Sequence, residues 1–336
     1  MIATTNGLSR KVTILGTGVA VPSTILTAEE LDRKLGIPAG ESYRVTRIQK
    51  RHIVSPGQTA ANLAAAAVKN ALKNARLRWE DIDCLVCASA TMDQALPYNA
   101  AMVMAEMPLR NNITTMDIGA SCLSFLQAVD MVSCSIEIGR FKTVLIVSAD
   151  ISSFTTDFRN LSENGIFGDG AAAAILSQTP PGKRSRILAT NSITLPQGVE
   201  YCRIRSGGSR YHRRGNDQHA QAVFEMDGRR VFCLARREVP QFVDKLLKDA
   251  GVQQKDIAFF IPHQASQQSI TYMSRKLGFA DGRCVEVFSE FGNQVGASLP
   301  TALHYAIERY ELQRGQIGLL LGSGAGVSVG GIVFEY

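Results

Sequence analysis

AAVKNALKNARLRWEDIDCLVCASA (residues 66–90) and VPQFVDKLLKDAGVQQKDIAFFIPHQA (residues 239–265) carry one pattern twice. Each reads as a helix with apolar residues three and four apart, a short turn, and a strand of consecutive apolar residues. In both, an Ala stands six residues before an Asp-Ile pair: Ala75 before Asp81-Ile82 and, 175 residues on, Ala250 before Asp256-Ile257. A second echo begins on Gly-Ala-Ser. GASCLSFLQAVDMVSCSIEIGRFKTVLIVSA (119–149) returns as GASLPTALHYAIERYELQRGQIGLLLGSGA (296–325) at an offset of 177, each a helix followed by a Val/Leu/Ile-rich strand. Near-continuous apolar strands alternating with helices indicate mostly parallel sheets covered on both faces. The repeat therefore predicts an α/β protein of two pseudo-symmetric halves. Segment 178–216, rich in Pro, Gly and Arg, reads as the crossover plus a long exposed loop, which places the halves at 1–180 and 181–336.

At 336 residues, 45 % apolar and 20 % charged, the chain has the balance of a globular protein with a sizeable core, which excludes disorder, coiled coil and collagen-like repeats. The excess of 36 Lys+Arg over 30 Asp+Glu is too small for a dedicated nucleic-acid binder but compatible with acidic partners. No apolar run approaches the ~20 residues that span a bilayer, and the first residues lack a signal-type pattern, so a cytoplasmic location is expected. The seven cysteines are odd in number and most sit in apolar strings, as buried reduced thiols do. Cys84 and Cys87 form a C-x-x-C, but inside a strand and with no second ligand pair nearby. No metal site is expected.

Cys122 falls where the strand NITTMDI meets the helix LSFLQAVDMVSCSIEI, so its sulfur is expected beside the unpaired N–H groups of a helix start. That placement favours the thiolate, the nucleophilic form. The second half supplies His263, immediately after the strand IAFFIP at the edge where catalytic groups of parallel sheets gather, and Asn293 in FGNQVG. A lone His after a strand is usually structural, and a lone Asn in a Gly-rich stretch is usually a turn former. Together with a helix-start Cys they suit covalent acyl chemistry: the thiol attacks a thioester carbonyl, while His and Asn donate hydrogen bonds to oxygen charge that develops later. The string Gly322-Ser323-Gly324-Ala325-Gly326 follows a buried strand and lets backbone N–H groups approach a substrate oxygen. A dinucleotide loop is the rival reading, disfavoured because another strand, not a helix, follows it.

With these residues in view, the chain resembles the thiolase superfamily and, within it, the β-ketoacyl-[acyl-carrier-protein] synthase III family. Five ordered blocks carry the resemblance: DIGASCLSF, FGDGAAAAIL, IPHQAS, FGNQVGASLP and LLLGSGAGVSVGGIVF. It implies a five-layered αβαβα homodimer without cofactor. It also implies Cys122 as the acyl acceptor, His263 and Asn293 as the pair that assists malonyl decarboxylation, and an oxyanion hole from the N–H groups of Cys122 and Gly324. The substrates implied are an acyl-CoA and a malonyl thioester, with acyl carrier protein as a partner.

Departures from the family pattern carry information too. A Trp that stacks on the CoA adenine is missing from GESYRVT, where Trp79, the only one in the chain, does not fall. Ser266 and Gln268 stand where an Asn and an Arg face the pantetheine arm. Leu96 replaces an aromatic that reaches the acyl pocket across the dimer, which suggests a donor longer than acetyl. Arg275 and Lys276 match a basic pair suited to carrier docking, and Arg203, Arg205, Arg210, Arg213 and Arg214 form a cluster able to hold a carboxylate, a phosphate or the carrier. Two other readings stay open. One is an acyltransferase or non-decarboxylative condensing enzyme of lipid or secondary metabolism, and the other, which the filled catalytic positions disfavour, is a non-catalytic partner subunit.

Overall fold

The computed structural model describes residues 9–108, 112–211 and 222–336. Its strands are β1 (Val12–Ala20), β2 (Thr24–Thr27), β3 (Lys50–Ile53), β4 (Cys84–Cys87), β5 (Thr114–Asp117), β6 (Thr143–Asp150), β7 (Gly170–Gln178), β8 (Arg186–Thr194), β9 (Cys202–Arg203), β10 (Glu225–Met226), β11 (Ile257–Pro262), β12 (Ile317–Gly324) and β13 (Ser328–Glu335). The helices are α1 (Ala28–Leu35), α2 (Glu41–Thr46), α3 (Ala60–Ala75), α4 (Asn99–Ala105), α5 (Ser124–Glu137), α6 (Gly228–Ala250), α7 (Gln267–Lys276), α8 (Phe288–Phe291) and α9 (Ser298–Glu308).

The first half builds a sheet ordered β1-β7-β6-β4-β5 and the second a sheet ordered β11-β12-β13-β8. The apolar residues sort into three main clusters that define the layers. Ala64, Ala67, Val68 and Ala71 of α3 cover the outer face of the first sheet, and Val239, Phe242, Val243 and Leu246 of α6 cover the outer face of the second. Between the sheets lie α5 and α9, whose Phe125, Leu126, Val129, Leu299, Ala302 and Leu303 meet both. Five layers, αβαβα, result. The Ala-rich face of α3 comes so close to β1 that a Cβ at Gly18 would stand 2.3 Å from the Ala71 nitrogen, so only glycine fits there. Among the described residues no helix is long and apolar enough to cross a membrane.

The pseudo-symmetry is real, but its second register differs from the sequence expectation. The first echo holds at 175, since Leu85 opposite Leu145 corresponds to Phe260 opposite Leu319. The second is offset by 174 and not by 177. Ser121 and Val295 both take left-handed backbone (φ 53° and 52°), α5 and α9 begin at Ser124 and Ser298, and β6 and β12 begin at Thr143 and Ile317. The repeated Gly-Ala-Ser is thus a local coincidence, and the counterpart of Cys122 is Gly296. Segment 178–216 also needs correction. Its residues 186–194 form β8, which pairs along β13 and buries Ile187, Leu188 and Ala189. Cys84 and Cys87, three apart on β4, enter clusters on opposite faces of the sheet, as the two-residue period of a strand requires.

Candidate active site

Cys122 lies in a single 3-10 turn, Ser121–Leu123, between β5 and α5, and the start of α5 has no side-chain cap. Its position is set by what Leu123 rests on. Added Cβ atoms at Gly322, Gly324 and Gly330 would come within 2.9, 3.3 and 3.3 Å of Leu123, so the bare β12–β13 hairpin lets this buried leucine seat the turn. The Gly-rich string therefore serves close packing as well as any substrate oxygen. Beyond β12, the backbone N–H that reaches the Cys122 sulfur is that of Ala325, one residue past Gly324, and the N–H of Cys122 itself joins it.

His263 follows β11, with its own N–H bound to the Leu321 oxygen at 2.8 Å. A Cβ at Gly322 would come within 3.0 Å of the His263 Cβ, so His263 and Leu123 share one wall of the hairpin. Asn293 arrives from the other side. Its amide donates to the Ala265 oxygen at 3.4 Å, and its Oδ1 accepts from the Val295 N–H at 2.9 Å, tying the left-handed Val295 turn to the residue two past His263. That turn packs on the Ser121–Leu123 turn. The three side chains singled out in the sequence thus converge, His263 and Asn293 being 6 % and 5 % exposed.

The electrostatics correct one expectation. Cys122 remains partly open to solvent, yet burial of its surroundings pushes the thiol well above the usual range, with Cys202 and then Asp150 adding to the effect. Desolvation outweighs the helix start and the two N–H groups, so the resting group is the thiol. Burial likewise holds His263 down to about 4, and its Nδ1 has no partner. The unfolded chain takes up this proton below about 6.5 and the folded chain only near 4, so this group costs stability as the pH falls through that window. An NMR titration of the His263 ring is expected to show a midpoint near 4. A midpoint above 6 would contradict a dry, neutral imidazole.

Three further contributors had no sequence signal of their own. Gln264 staples the end of β11 to the approach to α8, donating to the Pro262 and Val285 oxygens and accepting from the Val287 N–H. Asp150, at the end of β6, accepts from Ala90 N–H, Thr91 N–H and the Thr91 hydroxyl, and burial pushes it up to about 6. Cys202 on β9 stands near enough to Cys122 to perturb it. A longer reading of the motifs would have reached only Gln264, which lies inside IPHQAS.

The outlying candidates fall elsewhere. Ser266 spends its hydroxyl as the N-cap of α7, accepting from the Ser269 N–H, while Gln268 is exposed in the first turn. Arg275 and Lys276 are exposed in the last turn of α7, about 12 Å further along the axis. Leu96 is 82 % exposed. The arginine cluster is already supplied with carboxylates: Arg203 pairs with Glu200 and Glu225, Arg205 with Glu225 and Arg210 with Glu200. Arg213 and Arg214 lie outside the described residues.

Residues 116–196 match the 3-oxoacyl-[acyl-carrier-protein] synthase III family, and residues 247–336 match its C-terminal part. The β-ketoacyl-[acyl-carrier-protein] synthase III of Thiobacillus denitrificans is 32 % identical over 326 residues, covering 96 % of this chain and 98 % of that one. The chain belongs to the synthase III family. As a synthase III it is a condensing acyltransferase with a thiolase-like fold. The crystal structure of the Aquifex aeolicus 3-oxoacyl-[acyl-carrier-protein] synthase III superposes with a TM-score of 0.86 at 28 % identity, over 98 % of this chain and all of that one. A variant of OleA from Xanthomonas campestris has a TM-score of 0.84 at 21 % identity, over 97 % of this chain and 99 % of that one. OleA thus shares the fold with this synthase III.

Proposed function

We propose that this synthase III moves an acyl group from an acyl-CoA onto Cys122 and then condenses it with a malonyl thioester to give a 3-oxoacyl product. The observation that carries the reading is the meeting of Cys122, flanked by its own N–H and that of Ala325, with the buried neutral donors His263 and Asn293. The Cys122 sulfur attacks the thioester carbonyl, and the proton of its thiol leaves with the displaced CoA thiol. Loss of CO2 from the malonyl group leaves an enolate whose oxygen accepts from His263 and Asn293, and its carbon attacks the acyl-Cys122 carbonyl. The oxyanion formed there accepts from the N–H groups of Cys122 and of the Gly324–Ala325 turn. Its collapse frees the thiolate, which takes a proton back. The first half, 1–180, then supplies the nucleophile, and the second, 181–336, the decarboxylating pair.

Incubation with acetyl-, octanoyl- and glutaryl-CoA followed by intact mass spectrometry tests the reading and the donor together. Leu96 in place of an aromatic predicts more octanoyl than acetyl adduct, since each buried methylene contributes about 0.8 kcal/mol. Preference for acetyl overturns the longer donor, and no adduct from any donor overturns acyl transfer. Leu96 is a large apolar side chain left exposed, and β5 is an edge strand, which suits a homodimer in which Leu96 enters the partner's pocket.

Arg275 and Lys276 are the docking site for the acidic face of the carrier protein. Exposed charges act mainly on encounter rate and are screened by salt. Reversing both is expected to raise KM for a carrier-bound substrate several-fold at low salt, flatten its salt dependence and leave a pantetheine substrate unaffected. Steady-state kinetics on both substrates decide it, and equal losses point away from docking.

A further inference from the structure

Arg51 on β3 is 1 % exposed, and no carboxylate pairs with it among the described contacts. Its Nη1 donates to the backbone oxygens of Gly165 and Phe167, its guanidinium lies over the Phe158 ring at 5.3 Å, and its Nη2 has no partner. Burial lowers its pKa to about 10, so it stays a cation at neutral pH. A buried cation held by carbonyl dipoles and a ring face, with no carboxylate, is costly, which makes the segment it grips worth following.

That segment, Gly165–Gly168, is the approach to the FGDG motif, and it has two edges. The carbonyls of Gly165, in a turn, and of Phe167, at the bridge to Asn293 that follows it, both face Arg51. On the opposite edge, the Ile166 oxygen accepts from the Asn293 N–H at 2.8 Å, and the Gly168 N–H donates to the Asn293 oxygen at 3.2 Å. The ribbon is clamped in both directions, since a Cβ at Gly168 would lie 2.2 Å from the Phe291 oxygen and 3.3 Å from the Arg51 Cβ. Asp169 anchors its far end by accepting from the N–H groups of Val54, Ser152 and Ser153, and its own oxygen accepts from the Gln294 amide. Cys122 is mounted differently, on Leu123 and the β12–β13 hairpin.

We propose that Arg51 is a positioning residue for Asn293, fixing its backbone through the Gly165–Gly168 ribbon and so aiming its amide at the enolate oxygen without touching substrate. This rests on the role given to Asn293 above. Arg51→Met keeps the side-chain volume and removes both donors and charge, and Arg51→Lys keeps the charge but reaches only one of the two carbonyls. In the full-length enzyme, Arg51→Met is expected to acylate Cys122 within about threefold of the parent. Its CO2 release from a malonyl thioester is expected to fall on the order of 10²-fold, the cost of a misplaced reacting group, with Arg51→Lys intermediate. In an Asn293→Asp background, Arg51→Met should cause no further loss of CO2 release, because the two act as one unit. Unchanged CO2 release, parallel loss of acylation, or a loss that multiplies with Asn293→Asp overturns the proposal. If Arg51→Met fails to fold, Arg51→Lys is read by the same criteria. A parent enzyme that acylates but releases no CO2 overturns instead the reading of Asn293.

Discussion

Cys122→Ala is expected to leave the enzyme without an acyl adduct by intact mass spectrometry and to lower condensation by on the order of 10⁵-fold or more, the scale seen when a covalent nucleophile is removed. The fold should survive. The substitution removes one sulfur from a partly exposed turn whose placement depends on Leu123, and a change of that kind costs about 1 kcal/mol or less. An adduct persisting on the variant would move the nucleophile elsewhere, with Cys202 the nearest alternative thiol in the site.

The second large effect separates the two half-reactions. His263→Ala and Asn293→Ala are each expected to accept an acyl group on Cys122 at close to the parent rate, yet to release CO2 from a malonyl thioester on the order of 10²- to 10³-fold more slowly, as loss of an oxyanion donor does. Asn293→Asp is the sharper variant. It retains the Oδ1 that accepts from the Val295 N–H, and so keeps the left-handed turn, while removing the amide donor. Unchanged CO2 release in both His263 and Asn293 variants would refute their assignment, and loss of acylation as well would mark them as supports of Cys122.

The three residues proposed as catalytic were legible because each sits in a short block whose local pattern places it: a Cys between strand and helix, a His ending a strand, an Asn before the echoing helix. The nature of the Cys122 environment was not legible. A helix start argues for thiolate from sequence alone, but the opposing burial, to which Cys202 of β9 and Asp150 of β6 add, is set by residues remote in the chain. The N–H facing the sulfur shows the same limit at smaller scale. The family resemblance implies the Gly324 N–H for the oxyanion, and in the structure the N–H that reaches the sulfur is that of its neighbour Ala325. The pairing of the arginine loop was not legible either, because its Arg residues stand close together in the sequence while Glu200 and Glu225, which pair with Arg203 and Arg205, are scattered around them.

Periodicity and recurrence are local properties, so the sequence by itself determined the two α/β halves, the buried strands between helices and the first repeat register. Registers that depend on backbone conformation escaped it. The 174-residue offset follows from Ser121 and Val295 adopting left-handed backbone, which no residue-type signal announces, since neither is glycine. Only the tertiary structure could show that β8 leaves the apparent loop to pair with β13. It alone shows that Arg51 and Asn293, 242 positions apart in the numbering, grip opposite edges of one ribbon. Hydrogen bonds and desolvation act through space over a few ångströms, and distance along the chain carries no record of them.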